Sequence, residues 1–507
     1  MSFWSRQLGS SAIAIFITGT AAMADVTAEQ VWSDFKSYLE DFGYTVDGTE
    51  DVSSDTVTVS DLTLTFDSAP DDITATLTMD SLTFAETGDG RVQVTMPGSM
   101  PLTFLLSGPE FEGENVAGTL AYTQQGFEMV DTGDPENMVN SNNAPEKAFA
   151  LTSLIVGAET IAIDEAVVRM TDVAGESTNS GSDLRTSVQT MTIAAMDYVL
   201  DMANPEDPTG RISVAGGLKT LAFDGSIAMP SGIDINDTSA ALSAGFAVDG
   251  SYSYATGAAD LAITGQGQTF ESNSSSANGR LTVQMNSERI AYGGEASDVA
   301  LNYTGSDVPL PVSLGMGQVG FNMLFPIGQT EEPTDFALGL TLADVTVSDA
   351  IWGMVDPGGQ LPRDPATIQL DLTGKARLTQ DIMDEEQMMA AMGTPPGELH
   401  SLAVNTLTVA IAGAMLTGTG DFTFDNTDLT TFDGMPRPEG TLDLRLTGGN
   451  TLLDTLVAMG LLPEEQAMGA RMMLGLFARP GDGPDTLTSQ IEVTPEGQVL
   501  ANGQRLR

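Results

Sequence analysis

The most constraining feature of this sequence is an alternating apolar pattern that slips by one residue at its centre and then resumes. In its first copy, Val57 and Val59 are followed, after two polar residues, by Leu62 and Leu64. Further copies are Leu77, Met79, Leu82 and Phe84; Leu340, Leu342, Val345 and Val347; and Leu402, Val404, Leu407 and Val409, with a partial copy at Val188, Met191 and Ile193. Because a period of two places apolar side chains on one face of a strand, the pattern predicts half-buried β-strands.

The slip has three interpretations. A β-bulge adds one residue while keeping both apolar runs on the core side, and it bends and twists the strand. The other two are a tight turn at the polar pair and a strand that crosses from one face of the sheet to the other. We favour the bulge because the gap residues include no glycine; they are Ser60-Asp61, Asp80-Ser81, Ala343-Asp344 and Asn405-Thr406. The copies have no fixed spacing, which argues against a solenoid.

Turn chemistry accompanies many further alternating segments. Examples are Asp224-Gly225, Asp249-Gly250 and Asn278-Gly279, pairs that are typical of hairpin turns. The sequence therefore predicts a mainly β fold of long, bulged, strongly curved antiparallel sheets with a few peripheral α-helices.

Outside the C-terminal region three helices are predicted. Residues 26–43 have a capping box at Thr27 and Gln30 and end at Gly43. Residues 381–392 are a second helical segment, followed by glycine and prolines. Residues 145–156 are a third, although the β-branched residues at their end oppose a helix.

The last part of the chain combines a strand, a helix pair and a hairpin. The strand covers residues 441–447, the first helix begins with Asn450 as its cap and ends at Gly460, and the second runs from Pro463 to Pro480. The apolar positions of the two helices are Leu452, Leu453, Leu456, Val457 and Met459, then Met468, Met472, Leu476 and Phe477. We expect both apolar stripes to pack on the sheet. Residues 487–493 and 498–501 follow as a hairpin.

Residues 1–24 have the layout of a secretory signal peptide. Arg6 supplies the positive end, residues 12–17 the apolar run, and Ala22-Met23-Ala24 the cleavage pattern. Cleavage after Ala24 would leave Asp25 as the mature N-terminus. No other stretch approaches the roughly twenty apolar residues of a membrane helix, so we expect no transmembrane segment in the mature chain. The expected location is the bacterial periplasm, with an extracellular location as the alternative.

Turn-rich segments divide the mature chain into three predicted lobes. Residues 25–182 form an N-terminal helix with a β lobe, residues 183–330 a central β lobe, and residues 331–507 a C-terminal β lobe with the helix pair and final hairpin.

Charge and cysteine content exclude several classes of function. The chain has 70 acidic residues against 19 lysines and arginines, a formal charge of −51. Because each phosphate contact needs a cation, nucleic-acid binding is not expected. The chain has no cysteine, so an exported form would rely on its core and not on disulfides.

The search for catalytic motifs gives no catalytic residue. His400 is the only histidine, so a serine triad would have to be built around it. Ser33 and Lys36 match a penicillin-recognising motif but lie on a predicted helix without its partner motif. Residues 315–320 fit a dinucleotide-binding glycine pattern, yet no helix signal follows. We predict no enzyme activity and no cofactor.

Metal signals also favour structural interpretations. Asp421, Asp425, Asp428 and Asp433 lie close together in sequence, but their spacing is not that of a calcium loop, and solvated strand ends are favoured over calcium binding. The 26 methionines are interpreted as core residues and not as copper ligands. No metal ligand is therefore predicted.

Both ends of the chain resemble a known family. The opening helix V-W-S-D-F-K-S-Y-L-E-D-F-G-Y, the strand D-T-V-T-V-S-D-L-T-L-T-F and the end L-L-D-T-L-V-A-M-G-L-L-P-E-E-Q-A-M-G-A-R-M-M-L-G-L-F-A-R-P are similar to bacterial exported proteins of domain of unknown function 2125. The strand pattern also resembles, more distantly, envelope proteins of the AsmA type. The resemblance implies export and a β architecture, and it implies no catalytic residues.

These patterns lead to two functional expectations. The first is a non-enzymatic envelope protein that binds or passes on a lipid or another hydrophobic molecule in a curved sheet. Methionines in strands, Met79, Met96, Met191, Met229 and Met285, either line such a groove or fill an irregular core. The alternative is a structural or interaction scaffold with a fully packed core, whose partner is another envelope protein.

Overall fold

A computed structural model describes residues 25–68, 73–111, 114–204, 207–233, 235, 237–306, 308, 310–384, 388–389 and 395–507. The predicted signal peptide and its cleavage site after Ala24 lie outside the described residues, as does half of the helix predicted at residues 381–392. The fold is mainly β, as the sequence predicts. Among the described residues no helix has the length and apolar character needed to cross a membrane.

The chain forms two compact units. The first contains the described residues up to 204 together with Gly217–Tyr252, and the second contains Asp207–Gly216 with Ser253–Arg507. The division into three lobes stays a prediction from sequence.

The first unit contains one long helix and many strands. These are α1 (Ala28–Asp41), β1 (Tyr44–Val52), β2 (Thr56–Ser68), β3 (Ile73–Glu86), β4 (Val92–Thr95), β5 (Ser99–Ser107), β6 (Val116–Gln125), β7 (Glu128–Asp134), β8 (Asn137–Val156), β9 (Glu159–Thr160), β10 (Ile163–Ser180) and β11 (Leu184–Asn204). Strands β12 (Asp207–Pro230) and β13 (Ala247–Tyr254) have residues in both units, and α2 (Thr238–Ser243) lies between them in sequence.

The second unit continues with antiparallel strands, each of which pairs mostly with its neighbour in sequence. They are β14 (Thr256–Gly265), β15 (Gln268–Ser276), β16 (Asn278–Met285), β17 (Arg289–Gly305), β18 (Val312–Pro326), β19 (Thr334–Val347), β20 (Ala366–Leu378), β21 (Gly397–Ile411), β22 (Ala414–Asp425), β23 (Arg437–Thr447), β24 (Arg479–Pro480), β25 (Thr486–Val493), β26 (Val499–Ala501) and β27 (Gln504–Arg505). Its helices are α3 (Asp349–Val355), α4 (Gly449–Ala458) and α5 (Glu464–Phe477).

Helix α1 covers one face of the first unit. The predicted capping box is present: the Thr27 hydroxyl accepts from the Gln30 backbone N–H, and the Gln30 side chain accepts from the Thr27 N–H. Val31 and Trp32 are buried against strand residues that include Phe84, whose ring centroid lies 5.6 Å from that of Trp32. This packing gives the first unit a closed apolar core.

The bulge interpretation is confirmed at three of the four slipped frames. The strand register shifts opposite Asp61 in the β1–β2 pair, between Leu342 and Val345 in β19–β20, and between Val404 and Leu407 in β21–β22. At Asp80-Ser81 the interpretation is wrong, because β2 slips at the same level and the β2–β3 pairing stays in register. At this point β3 instead changes its other neighbour from β5 to β4.

Two of these slips place an aspartate in the left-handed backbone region. Asp61 and Asp344 both have φ of 54° inside a strand. Aspartate tolerates this region better than most residues, which explains how a bulge forms without glycine.

Two local predictions are wrong. Residues 145–156 belong to strand β8, which pairs with β6 and β10 along this stretch, so tertiary pairing overrides the helix signal. Pro145 is tolerated because it lies where β8 changes its partner from β7 to β6. Asp224-Gly225 and Asp249-Gly250 lie inside β12 and β13, and Asn278-Gly279 begins β16 and pairs with β17, so none of the three pairs is a turn. A side chain at Gly225 would come within 3.0 Å of the Asp249 backbone oxygen, so close strand approach explains this glycine.

The C-terminal helices form, with different caps and packing from those predicted. Gly448, with φ of 72°, precedes α4, and Asn450 is not its cap. The Asp485 carboxylate instead accepts from the backbone N–H groups of Asn450 at 3.1 Å and Thr451 at 2.8 Å. The predicted packing of the α5 stripe is wrong for three of its four residues, since Met468 (63%), Met472 (67%) and Leu476 (52%) are more than half exposed, whereas Phe477 is 38% exposed.

Candidate functional site

The strand register of the second unit aligns apolar residues in rows across the sheet. Directly paired residues point to the same side, and so do residues two apart along a strand. One row is Leu281, Phe321, Leu340, Leu370, Leu407 and Leu444; the next is Val283, Tyr292, Met323, Leu338, Leu372, Val404, Leu442 and Ile491; a third is Val319, Leu342, Ile368, Val409, Leu416, Leu446 and Leu487. A shorter fourth row contains Phe336, Leu402, Phe422 and Val493. We call these four rows the apolar face.

The opposite side of the same strands is polar. Its residues include Asn322, Thr341, Gln369, Asp371, Thr408, Thr417, Asp443, Arg445, Thr488 and Gln490. The apolar face is therefore a one-sided surface. It runs from β16 through β23 to β25, a width of roughly 40 Å at the usual spacing of about 4.8 Å between strands.

The apolar face stays open to solvent. Leu281, Phe321 and Leu340 are 54%, 47% and 42% exposed, and most of the remaining members are half-buried. In the first unit the comparable strand residues Val59 and Leu62 are 0% exposed. Apolar side chains arranged over several strands and left partly exposed are typical of a surface that binds another molecule.

Glycines on the apolar face make room for its larger side chains. A Cβ atom at Gly294 would come within 2.4 Å of the Phe321 ring, and one at Gly418 within 2.7 Å of Leu444. The Phe321 ring therefore reaches over the neighbouring strand at the position where that strand has no side chain.

The face leads at one end into a cavity beneath the helix pair. The cavity has a volume of about 480 Å³. Its lining is almost entirely apolar and consists of Ala414, Leu446, Gly449, Leu452, Leu453, Leu456, Ala470, Met473, Leu474 and Phe477. Leu446 belongs to the third row, so the cavity continues the apolar face. Helices α4 and α5 thus line a space instead of packing densely on the sheet.

A second cavity of about 480 Å³ lies at the level of the fourth row, but most of its lining belongs to the polar side of the sheet. Its residues on that side form two paired rows, Leu324, Ala337, Thr373, Ala403 and Asp421, then Asp335, Lys375, Ser401, Thr423 and Glu439, and Asp335 and Lys375 form an ion pair of 2.8 Å. Both cavities are comparable in volume to the pockets that bind small organic molecules.

The methionines predicted for a groove divide between two environments. Met79 and Met96 pack against the closed core of the first unit, and Met229 is fully buried. Met285 is paired with Ile290 at the edge of the apolar face. The groove interpretation is therefore wrong for Met79, Met96 and Met229, where side-chain packing explains the choice of methionine.

The residues considered for catalysis lie in separate environments. His400 is on β21, with its Nε2 atom 3.3 Å from Glu398, which also pairs with Arg377 at 2.8 Å. Ser33 is exposed on α1, and residues 315–320 lie within β18 and not before a helix.

The acidic residues near β22 are paired mainly with arginines and hydroxyls. Arg437 contacts Asp425 at 2.8 Å and Asp428 at 3.1 Å, and Arg507 contacts Asp433 at 3.4 Å. Hydrogen bonds, foremost that from the Thr431 hydroxyl, lower the pKa of Asp428 to about 2. Within the described residues no set of three or more acidic or histidine side chains is placed to hold a metal ion.

The apolar face itself could not be read from the sequence. Each strand shows its alternation, but the alignment of nine strands into shared rows depends on register, which bulges such as those after Leu342 and Val404 alter.

Comparison with known proteins gives one family and two distant structures. No curated protein matches the sequence. The ferric citrate transporter FecA in the unliganded form is 9% identical, with 91% of this chain and 76% of that chain covered and a TM-score of 0.15. BauA, the ferric preacinetobactin receptor from Acinetobacter baumannii, is 8% identical, with 91% and 78% covered and a TM-score of 0.13. Scores this low support no conclusion about fold or function.

The family comparison is more informative. Residues 253–503 match the family described as uncharacterized protein conserved in bacteria (DUF2125). The matched segment covers nearly all of the second unit from Ser253, including every strand of the apolar face. The match confirms the predicted resemblance for the C-terminal part of the chain, residues 253–503, which belongs to the DUF2125 family, and it does not extend to the opening helix or the first quoted strand.

Proposed function

We propose that this protein is a non-enzymatic, exported envelope protein that binds or passes on a lipid or another hydrophobic molecule along the apolar face. The single observation that supports this most strongly is the exposure of Leu281, Phe321 and Leu340 within one aligned apolar row. Covering such a surface releases water from apolar area, which stabilises a complex by about 25 cal/mol per Å².

The shape and chemistry of the surface favour a long, flexible ligand. The cavity beneath the helix pair holds only part of a large lipid, whereas the rows of the apolar face extend for tens of ångströms. Acyl chains have no polar group along their length, and the four rows offer aliphatic and aromatic contacts without a charged side chain. The charge of −51 disfavours resting on anionic membrane surfaces, so the ligand would be taken up from solution or from a partner protein.

The alternative function is a structural or interaction scaffold of the envelope. It requires a fully packed core, and the closed core of the first unit is compatible with it. The open apolar face of the second unit favours ligand binding instead.

Export to the periplasm is part of the proposal and rests on the leader pattern of residues 1–24. N-terminal sequencing of the protein from an envelope fraction should find Asp25 as the first residue. Recovery of an intact Met1 from that fraction would rule out cleavage.

Ligand binding is tested with an environment-sensitive fluorescent fatty acid. The proposal predicts saturable enhancement of the probe's emission by the folded protein at 25 °C. An ordinary closed core binds such probes only after it is opened. Enhancement that begins only at the melting transition would therefore overturn the proposal.

A further inference from the structure

A group of polar side chains is buried under helix α1 in the first unit. Asp131 on β7, Asn140 on β8 and Ser177 on β10 are direct cross-strand partners, and Asn179 lies two residues beyond Ser177 on the same side. All four are at most 8% exposed, and Asn140 and Ser177 are only 1% exposed. We call these four residues the buried oxygen cluster.

The cluster satisfies only part of its own hydrogen-bonding capacity. The Asn140 amide donates to Asp131 Oδ1 at 2.7 Å. The other carboxylate oxygen of Asp131, the amide oxygens of Asn140 and Asn179, and the Ser177 hydroxyl are buried without a hydrogen-bond partner. Buried polar atoms in native proteins are nearly always paired, so four neighbouring exceptions require an explanation. All four atoms can act as electron-pair donors to a positive partner.

A small cavity lies beside the cluster. Its volume of about 10 Å³ is close to that of a single water molecule or monatomic ion. Its polar lining consists of Asp131, Asn140 and Asn179 from the sheet and Asp34 and Tyr38 from α1, and Ser177 pairs directly with Asn140 beside it. The other lining residues are apolar: Val31, Phe35, Phe84, Met129 and Met138. An organic ligand does not fit in this space.

The charged groups around the cavity do not supply the missing positive partner. On β11, Arg185 is engaged by Asp34 at 2.8 Å and by Asp41 at 3.5 Å. On β8, the Lys147 ammonium donates to the Asn142 amide oxygen at 3.2 Å. Asp34 adds a second carboxylate near Asp131, and this like charge contributes, after burial itself, to raising the pKa of Asp131 to about 7.

We propose that the buried oxygen cluster binds one hard metal cation, Ca²⁺, with the Asp131 carboxylate and the oxygens of Asn140, Ser177 and Asn179 as ligands. Calcium prefers carboxylate and amide oxygens and accepts irregular geometry, and the four unpaired atoms of the cluster are all oxygens. The thioethers of Met129 and Met138, which also line the cavity, are not ligands that calcium uses. A water molecule supplies two donors, to which the Ser177 hydroxyl adds one, and it brings no positive charge to the Asp131 carboxyl group, so it explains the arrangement less well. The cation would fix three strands beneath α1.

The proposal is tested on the full-length protein after treatment with a chelator. Titration calorimetry with CaCl₂ should show saturable binding at the cluster, and the melting temperature should rise with the logarithm of the Ca²⁺ concentration. NaCl at matched ionic strength should not reproduce the rise. Absence of both binding and stabilisation at millimolar Ca²⁺ would overturn the proposal.

Two variants test whether calcium stabilises the protein by binding at the buried oxygen cluster. Asp131→Asn keeps the shape of the side chain and removes its charge, and it should abolish the calcium-dependent rise in melting temperature. Asp421→Asn changes an exposed acidic residue and should leave the rise intact. If Asp131→Asn does not fold, Asn179→Leu, which removes one ligand without touching the carboxylate, should weaken calcium binding at least tenfold. An equal rise in the wild type and the cluster variant would assign the effect to the acidic surface and overturn the proposal.

Discussion

Placing a carboxylate on the apolar face should block ligand binding without unfolding the protein. Leu340 is a suitable position because it lies at the centre of the first row, between Phe321 and Leu370, and is 42% exposed. Complete burial of a leucine contributes about 1.5 to 3 kcal/mol, so covering its exposed part contributes roughly 1 kcal/mol to binding.

Leu340→Glu removes this contribution and adds the cost of desolvating a charge under the ligand. A buried polar group without a partner costs about 1 to 3 kcal/mol on protein scales. The two effects together weaken binding by roughly 2 to 4 kcal/mol, or about thirtyfold to a thousandfold in Kd. Titration of the fluorescent fatty acid measures this change directly.

Thr341→Glu is the matched control. Thr341 is the next residue on β19, and its partners Gly320 and Gln369 place it on the polar side. The control adds the same charge to the same strand and should leave the Kd within about twofold. Equal loss of probe binding in the two variants, or no loss in Leu340→Glu, would refute the assignment of the ligand to the apolar face.

Three further predictions concern stability. Arg185→Met leaves Asp34 and Asp41 partly buried without their cation, so it should lower the free energy of unfolding, measured by urea titration, by about 3 kcal/mol. Arg169→Met removes an exposed ion pair and should lower the same free energy by less than about 1 kcal/mol. Burial lowers the pKa of Lys147 to about 8, so the unfolded chain binds more protons between pH 8 and 10.5 and stability should rise across that window. Lys147→Met should therefore stabilise the protein by up to about 3 kcal/mol at pH 7 and by much less above pH 10.5. An equal effect at both pH values would show that the buried charge of Lys147 is not the cause of the stabilisation. Asp485→Asn weakens the cap of α4 while keeping a residue that tolerates the φ of 44° at this position. It should lower the free energy of unfolding by about 1 kcal/mol and speed amide exchange at the start of α4, whereas a change at the exposed Asp482 should do neither.

Local signals in the sequence predict local structure well in this protein. The Thr27 capping box, the Gly460 helix end and the final hairpin depend on residues within a few positions of one another, and all are present. Two of the three bulges are also local, because the aspartate at the slip, Asp61 or Asp344, adopts the left-handed backbone that the extra residue needs.

The errors arise where distant residues decide the structure. The cap of α4 comes from Asp485, 35 residues beyond Asn450, and no local pattern indicates it. Residues 145–156 become a strand because partners on both sides pair with them. The α5 stripe has helical spacing whether or not a surface covers it, so periodicity alone does not predict that Met468 is exposed.

The apolar face likewise depends partly on local sequence and partly on distant residues. Alternation within each strand predicts an apolar side, and the register between strands decides whether those sides align. Whether an aligned face is then covered depends on the rest of the fold. In the first unit α1 covers it, and in the second unit residues such as Phe321 and Leu340 remain open.

Native mass spectrometry of the protein purified from its own bacterial envelope tests ligand binding most directly. The account predicts that the wild type carries additional mass of a lipid or other hydrophobic molecule, that organic extraction releases it, and that Leu340→Glu loses it while Thr341→Glu retains it. A wild-type protein that is folded and shows only the mass of the polypeptide, under conditions that preserve other lipid complexes, would contradict the account.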